Sequence, residues 1–348
     1  VVNNSSPDFP SGTPVYHYHY IKKNIFITFT ASPASPILRK LDDLRYQYEV
    51  DSKGQNHLVD LWMTLDDVSE VARYEPHVSN VYHLFTRSSP SVSQPLLFGN
   101  LQLLNRSFFD DLARTIVLIH GWRDTPLSDI VTVLVPAFLA AEDVNVLVVD
   151  WTAGAGTINY AAALSNTVTS GIAVGQFINW LNQVTQAIPV NYHIVGQGLG
   201  GHQAGIVGRW VQGDILYITG LDPSLLGWIN HSDRFHPNDA TYTEVIHTNA
   251  GINGYIADLA QVDFYPNGGE SMPGCDSHAC DHARSIFYFA ESITSGGFTG
   301  RRCASFLTAI LQLCGLPETL QMGGLRPKIG STGVYLLETN AFPPFSRG

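Results

Sequence analysis

His193-Ile194-Val195-Gly196-Gln197-Gly198-Leu199-Gly200-Gly201-His202 decides the architecture of this chain. An apolar, β-branched run leads into alternating glycines, and a stretch rich in small residues follows. The pattern reads as a buried strand, a tight turn and the start of a helix. Glycines on both sides of the turn suit a close approach of strand and helix backbones. A phosphate cradle at the helix N-terminus is the rival reading. Neither the G-x-G-x-x-G spacing nor G-x-x-x-x-G-K-[ST] is present, and no acidic residue ends a following strand at the expected offset, so nucleotide binding is set aside.

Working outward, Val81 to Thr86, Leu101 to Leu104, Thr115 to Ile119, Val144 to Val149, Tyr192 to Val195 and Ile215 to Thr219 are short apolar runs of the kind that form strands. Thr115 to Ile119 is almost uninterrupted, which indicates burial on both faces. Between the runs lie helical periods, notably Val168 to Gln186, where Val174, Phe177, Ile178, Leu181 and Val184 recur every three or four residues. Strands alternating with helices predict an α/β domain with a mostly parallel central sheet and helices on both faces. That domain is expected over residues 79–348. Residues 1–78 read as a partly irregular N-terminal extension, with a Pro-, Ser- and Asn-rich arm from Asn3 to Pro14.

The 348 residues are 45% hydrophobic and only 14% charged, which excludes a disordered chain. A net charge of -11 argues against nucleic acid as a partner. The longest apolar stretch, Ile130 to Ala141, contains Pro136 and falls short of the roughly 18 residues that suggest a membrane span. Four cysteines fall in two close pairs, Cys275 with Cys280 and Cys303 with Cys314. Their spacing does not suit zinc, so two short-loop disulfides and an oxidising compartment are expected. Asn3, Asn4, Asn105 and Asn230 open Asn-x-Ser sequons, candidates for glycosylation in a secreted protein. The chain starts Val1-Val2, read as a processed product whose targeting segment has been removed.

In an α/β-hydrolase a G-x-S-x-G elbow lifts a nucleophilic serine to the top of the sheet. Here Gly198 stands at the central position. The surrounding motifs, in order, resemble the pancreatic-lipase family: Leu118-Ile119-His120-Gly121-Trp122, Val148-Val149-Asp150-Trp151, Gly220-Leu221-Asp222-Pro223, Val245-Ile246-His247-Thr248, Asp263-Phe264-Tyr265-Pro266-Asn267-Gly268-Gly269 and Cys280-Asp281-His282-Ala283-Arg284-Ser285. The resemblance implies Asp222 as the acid that orients an imidazole and His282 as general base. It also implies an oxyanion hole from the backbone N–H groups of Trp122 and Leu199, and Cys303 with Cys314 resembles a disulfide of the family. The nucleophile is missing, and losing it in another serine hydrolase costs about 10⁶-fold in turnover. Ser165, Ser170, Ser224 and Ser277 are the candidate replacements, and nothing in the sequence places any of them beside His282.

Other departures point the same way. The family's calcium loop maps onto His231 to Asp239, where His231 and His236 stand at two usually acidic positions, so no tight calcium site is expected. No metal or cofactor is predicted, and His17, His19, His193, His202 and His247 are read as core or surface histidines. Only Asp276, Ser277, His278 and Ala279 separate Cys275 from Cys280, too few for a lid over a hydrophobic trench. With the chain ending soon after Gly333 to Thr339, a C-terminal β-sandwich domain is not expected.

A lost serine, an altered calcium loop and an N-terminal extension together resemble the insect yolk-protein branch, moth egg-specific proteins included. The resemblance implies a non-enzymatic storage protein of egg yolk granules, an amino-acid reserve for the embryo. A protease would cut the N-terminal arm, and a homo-oligomer is compatible. The first alternative is a protein that binds a lipid, steroid conjugate or other hydrophobic small molecule in the vestigial acyl pocket. The second is an active lipase or phospholipase A1, which would require an engineered Gly198 or a water nucleophile activated by His282.

Overall fold

The computed structural model describes residues 46–50, 54, 56–60 and 74–348. A hairpin of β1 (Tyr46–Val50) and β2 (Asn56–Asp60) stands as its own two-stranded sheet. The arm from Asn3 to Pro14, with its two sequons, and both His17 and His19 lie outside the described residues. The compact unit containing everything below spans Asp43–Gly348.

The remaining strands are β3 (Val81–Thr86), β4 (Ser89–Leu96), β5 (Thr115–Ile119), β6 (Asn145–Asp150), β7 (Tyr192–Gln197), β8 (Tyr217–Leu221), β9 (Tyr242–Ile246), β10 (Val262–Pro266), β11 (Thr299–Cys303), β12 (Thr319–Gln321) and β13 (Gly333–Leu337). They form one 11-stranded sheet in the order β12-β11-β13-β10-β9-β8-β7-β5-β6-β3-β4. From β13 to β6 every neighbouring pair is parallel. The outer strands on both sides pair antiparallel. The edges are short or broken: β12 has 3 residues, and β4 carries Pro90 and Pro95.

The helices are α1 (Pro76–Ser79), α2 (Leu101–Asn105), α3 (Asp129–Ala141), α4 (Thr152–Ala155), α5 (Tyr160–Thr185), α6 (Leu199–Trp210), α7 (His278–Thr294) and α8 (Phe306–Ile310), with α3 to α6 forming the crossovers between the parallel strands β5 to β8. Two large apolar cores lie on opposite faces of the sheet. Val117 and Ile119 of β5 pack with Phe177, Ile178 and Leu181 of α5 and with Ile206 and Val207 of α6. Ile116 and Leu118 of the same strand pack with Leu134 and Phe138 of α3 and with Ile286 and Phe289 of α7. This period of two, with both sets buried, is why Thr115 to Ile119 reads as unbroken in sequence. Burying each such side chain is worth about 1.5–3 kcal/mol, and the summed effect fixes the strand ends that carry the site.

One expected strand is a helix. Leu101 to Leu104 forms the first turn of α2, because the Asn100 side chain accepts a hydrogen bond from Leu103 N and caps it. A four-residue apolar run satisfies either period, and the cap decides. The helix predicted from Val168 begins earlier, at Tyr160, capped by Asn159.

Candidate active site

The strand–turn–helix of the glycine run is β7, Gly198 and α6. Gly198 has φ 59° and ψ -120°, a backbone conformation that glycine accepts and L-residues rarely adopt. Its flanking glycines are steric necessities. A Cβ on Gly196 would sit 1.9 Å from Gly200 O, and one on Gly200 would sit 2.2 Å from Ile119 O. A Cβ on Gly198 would instead meet only side-chain atoms, 3.2 Å from His282 Nε2 and 3.6 Å from Ser224 Oγ, a tight fit against the imidazole.

Asp222 follows β8 directly and is fully buried. Its Oδ2 accepts from His282 Nδ1 at 2.6 Å. Its Oδ1 accepts from the backbone N–H groups of Thr248 at 2.8 Å and Asn249 at 3.0 Å, just beyond β9. Three accepted hydrogen bonds hold the carboxyl group in one orientation. The Nδ1 proton is therefore fixed on the side of Asp222, and Nε2 is left as the basic nitrogen facing Gly198. A Cβ on Gly254 would lie 2.2 Å from Asp222 Oδ1, so glycine there makes room for the carboxyl group.

His282 lies in the second turn of α7. Ser277 caps that helix through a bond from Cys280 N, and Cys275 is bonded to Cys280, so residues 276–279 make a tight corner. Cys303 is bonded to Cys314, and there is no free cysteine.

The predicted oxyanion residues border the same space. Trp122 stands just past β5, its indole Nε1 donating to Thr157 O at 2.8 Å and its ring set edge-on to Tyr160. Leu199 is the first residue of α6, whose leading N–H groups have no intrahelical acceptor. Trp122, Gly198, Leu199, Ser224 and His282 together line a cavity of about 310 Å³, with apolar wall from Leu127, Ile130 and Ile286.

Of the serines weighed as substitutes, only Ser224 lies at this site. Ser165 is exposed on α5, Ser170 is buried and bonded to Asn80 and Gln203, and Ser277 caps α7. Among the described residues no hydroxyl is hydrogen-bonded to His282 Nε2. Ser224 stands two residues beyond Asp222, where the chain turns back under the elbow: Ser224 N donates to Gly198 O at 3.2 Å. Asn105 and Asn230 are exposed. The histidines beside apolar runs are buried and bonded: His193 to Thr219, His202 to Ser224 O and Phe235 N, His247 to Asp263 and Tyr255 O. Among the described residues, no group of three or more His, Cys, Asp or Glu side chains could hold a metal ion.

A parallel sheet with a glycine-packed elbow after one strand, an acid after the next and a histidine bonded to that acid defines an α/β-hydrolase scaffold. A family model for Lipase matches residues 45–341. The chain belongs to the lipase family. It is 36% identical over 226 residues to Lipase member H of Xenopus tropicalis, covering 61% of this chain and 48% of that protein. It is 33% identical over 283 residues to pancreatic triacylglycerol lipase of Cavia porcellus, covering 72% of this chain and 60% of that protein. The chain thus spans about half to three-fifths of the length of these curated relatives.

Proposed function

We propose that this protein keeps the lipase scaffold without acyl transfer and serves as a storage protein. In this reading it is secreted and laid down in egg yolk granules as an amino-acid reserve. The reading rests on one observation, the glycine at the crest of the elbow. Asp222 and His282 are paired as a general base requires, yet the atom that would attack an ester carbonyl is absent. Two disulfides fit a secretory product, and proteolysis in the N-terminal extension would release the reserve. The named relatives are lipases, so the proposal separates this chain from them by chemistry rather than by fold.

The test is covalent labelling with a fluorophosphonate probe and hydrolysis of short-chain p-nitrophenyl esters and phospholipid. Neither labelling nor turnover above the Asp222→Asn variant is expected, and a stable adduct on the unmodified chain refutes the reading. The storage role is checked separately by quantitative proteomics of eggs, where trace abundance counts against it.

The cavity favours a second reading. About 310 Å³ with apolar wall on one side and His282 on the other suits a lipid or other hydrophobic small molecule held without turnover. Native mass spectrometry of the purified protein decides: a co-purifying lipid supports it and a clean protein opposes it.

A further inference from the structure

Asp239 lies at the end of the loop from His231, the stretch to which the family resemblance assigns calcium. Its side chain is only 1% exposed, and its carboxylate is already occupied. Oδ1 accepts from Arg209 Nη1 at 2.5 Å, and Oδ2 accepts from the backbone N–H of His236 at 2.8 Å. The same guanidinium reaches two carbonyl oxygens of the loop, Asp233 O at 2.7 Å through Nη2 and Arg234 O at 3.3 Å through Nη1. The two imidazoles are turned onto their own loop: His231 Nδ1 accepts from Asp233 N at 3.1 Å and His236 Nδ1 from Asn238 N at 3.3 Å.

Calcium requires six to eight oxygen ligands at about 2.3–2.6 Å. Three of the loop's oxygens, Asp233 O, Arg234 O and Asp239 Oδ1, converge instead on a fixed positive charge, and a divalent ion beside that charge would be repelled while two imidazoles replaced carboxylates in its shell. The residues do not fit calcium. We propose that the guanidinium of Arg209 is the permanent cation of this loop, so that its conformation is set by the chain itself at every calcium concentration.

The geometry of α6 supports this. A Cβ on Gly205 would lie 2.2 Å from Asp239 Oδ2, and one on Gly208 would lie 2.1 Å from Asp239 O. Helix and loop are therefore in backbone-level contact, with Arg209 the next residue along the helix. The loop also reaches the floor of the candidate active site. Phe235 N donates to His202 Nδ1 at 3.0 Å, and His202 Nε2 donates to the carbonyl of Ser224 at 2.7 Å. The cation thus anchors the segment that holds the backbone beneath Gly198, independent of whether the site turns over any ester.

The test is thermal unfolding of the whole protein in excess EDTA and in millimolar calcium chloride, with calcium titration calorimetry alongside. The expected result is one Tm in both buffers and no heat of calcium binding. Arg209→Gln is expected to lower Tm by about 5 °C or more, since it strands a buried carboxylate, and Arg209→Lys by less. A calcium-dependent rise in the Tm of the wild-type chain, a binding heat, or an Arg209→Gln protein that melts with the wild type overturns the proposal. If Arg209→Gln does not fold, the wild-type comparison and the calorimetry decide.

Discussion

At Gly198 a single side chain separates the present site from a complete Ser-His-Asp arrangement. The backbone already holds the elbow conformation, and a serine Cβ would stand 3.2 Å from His282 Nε2, close enough that its hydroxyl would meet the basic nitrogen after a shift of a few tenths of an ångström. Gly198→Ser is therefore expected to gain fluorophosphonate labelling and ester turnover at least ~10³-fold above the unmodified protein. The residue would pay for its φ of 59° with about 1–3 kcal/mol of stability. A folded but unlabelled Gly198→Ser would mean that the oxyanion donors are not aimed at the attacked carbonyl. Adding His282→Ala to that variant should abolish the gain. Asp222, His282, Trp122 and Leu199 could be singled out in the sequence because each stands in a motif shared with the lipase family, and the structure brings them to one end of the sheet. Ser224 could not be placed there, since its approach to the elbow comes from a chain reversal that no periodicity reports.

At the scale of elements, the glycines of the run divide into two kinds. Gly196 and Gly200 allow β7, α6 and β5 to touch backbone to backbone, and a methyl at either meets main-chain atoms at 2.4 Å or closer. Gly196→Ala and Gly200→Ala should each cost more than about 4 kcal/mol or prevent folding, read as loss of the cooperative unfolding transition. Strands with a strong apolar pattern were readable: Val81 to Thr86, buried on one face, and Thr115 to Ile119, buried on both, begin and end where their apolar runs do. Local chemistry misled where the core did not decide. Asn100 turned an apolar run into a capped helix, while Pro90 and Pro95 hid an edge strand, β4, that tolerates proline because one side of it is unpaired. The early start of α5 was hidden because Ala161, Ala162, Ala163 and Ser165 dilute its apolar period.

For the whole molecule, buried histidines set an acid limit. Burial lowers the His202 pKa to about 3 from an ordinary 6.5, so the folded protein holds the imidazole neutral while the unfolded chain charges it. This contribution is complete above pH 6.5 and is lost as the pH falls through 6.5 towards 3. At about 1.4 kcal/mol per pKa unit the loss amounts to a few kcal/mol. Fully buried His193, also driven down by burial, adds in the same direction. Urea unfolding should show the wild-type midpoint falling between pH 7 and 4. His202→Gln should be less stable at pH 7 and flatter across that range, and an equal slope in both proteins would remove histidine burial as the cause.

The sheet's two margins bear on life at high protein density. An extended array whose last strands offered unbroken rows of amide groups would recruit its neighbours into fibrils when crowded. Here one margin ends after 3 residues and the other lacks amide hydrogens at Pro90 and Pro95. Concentrated solutions should therefore stay free of thioflavin-positive aggregates, whereas a Pro90→Val, Pro95→Val double variant should seed them. Concentrated protein would then disperse again on dilution as folded molecules.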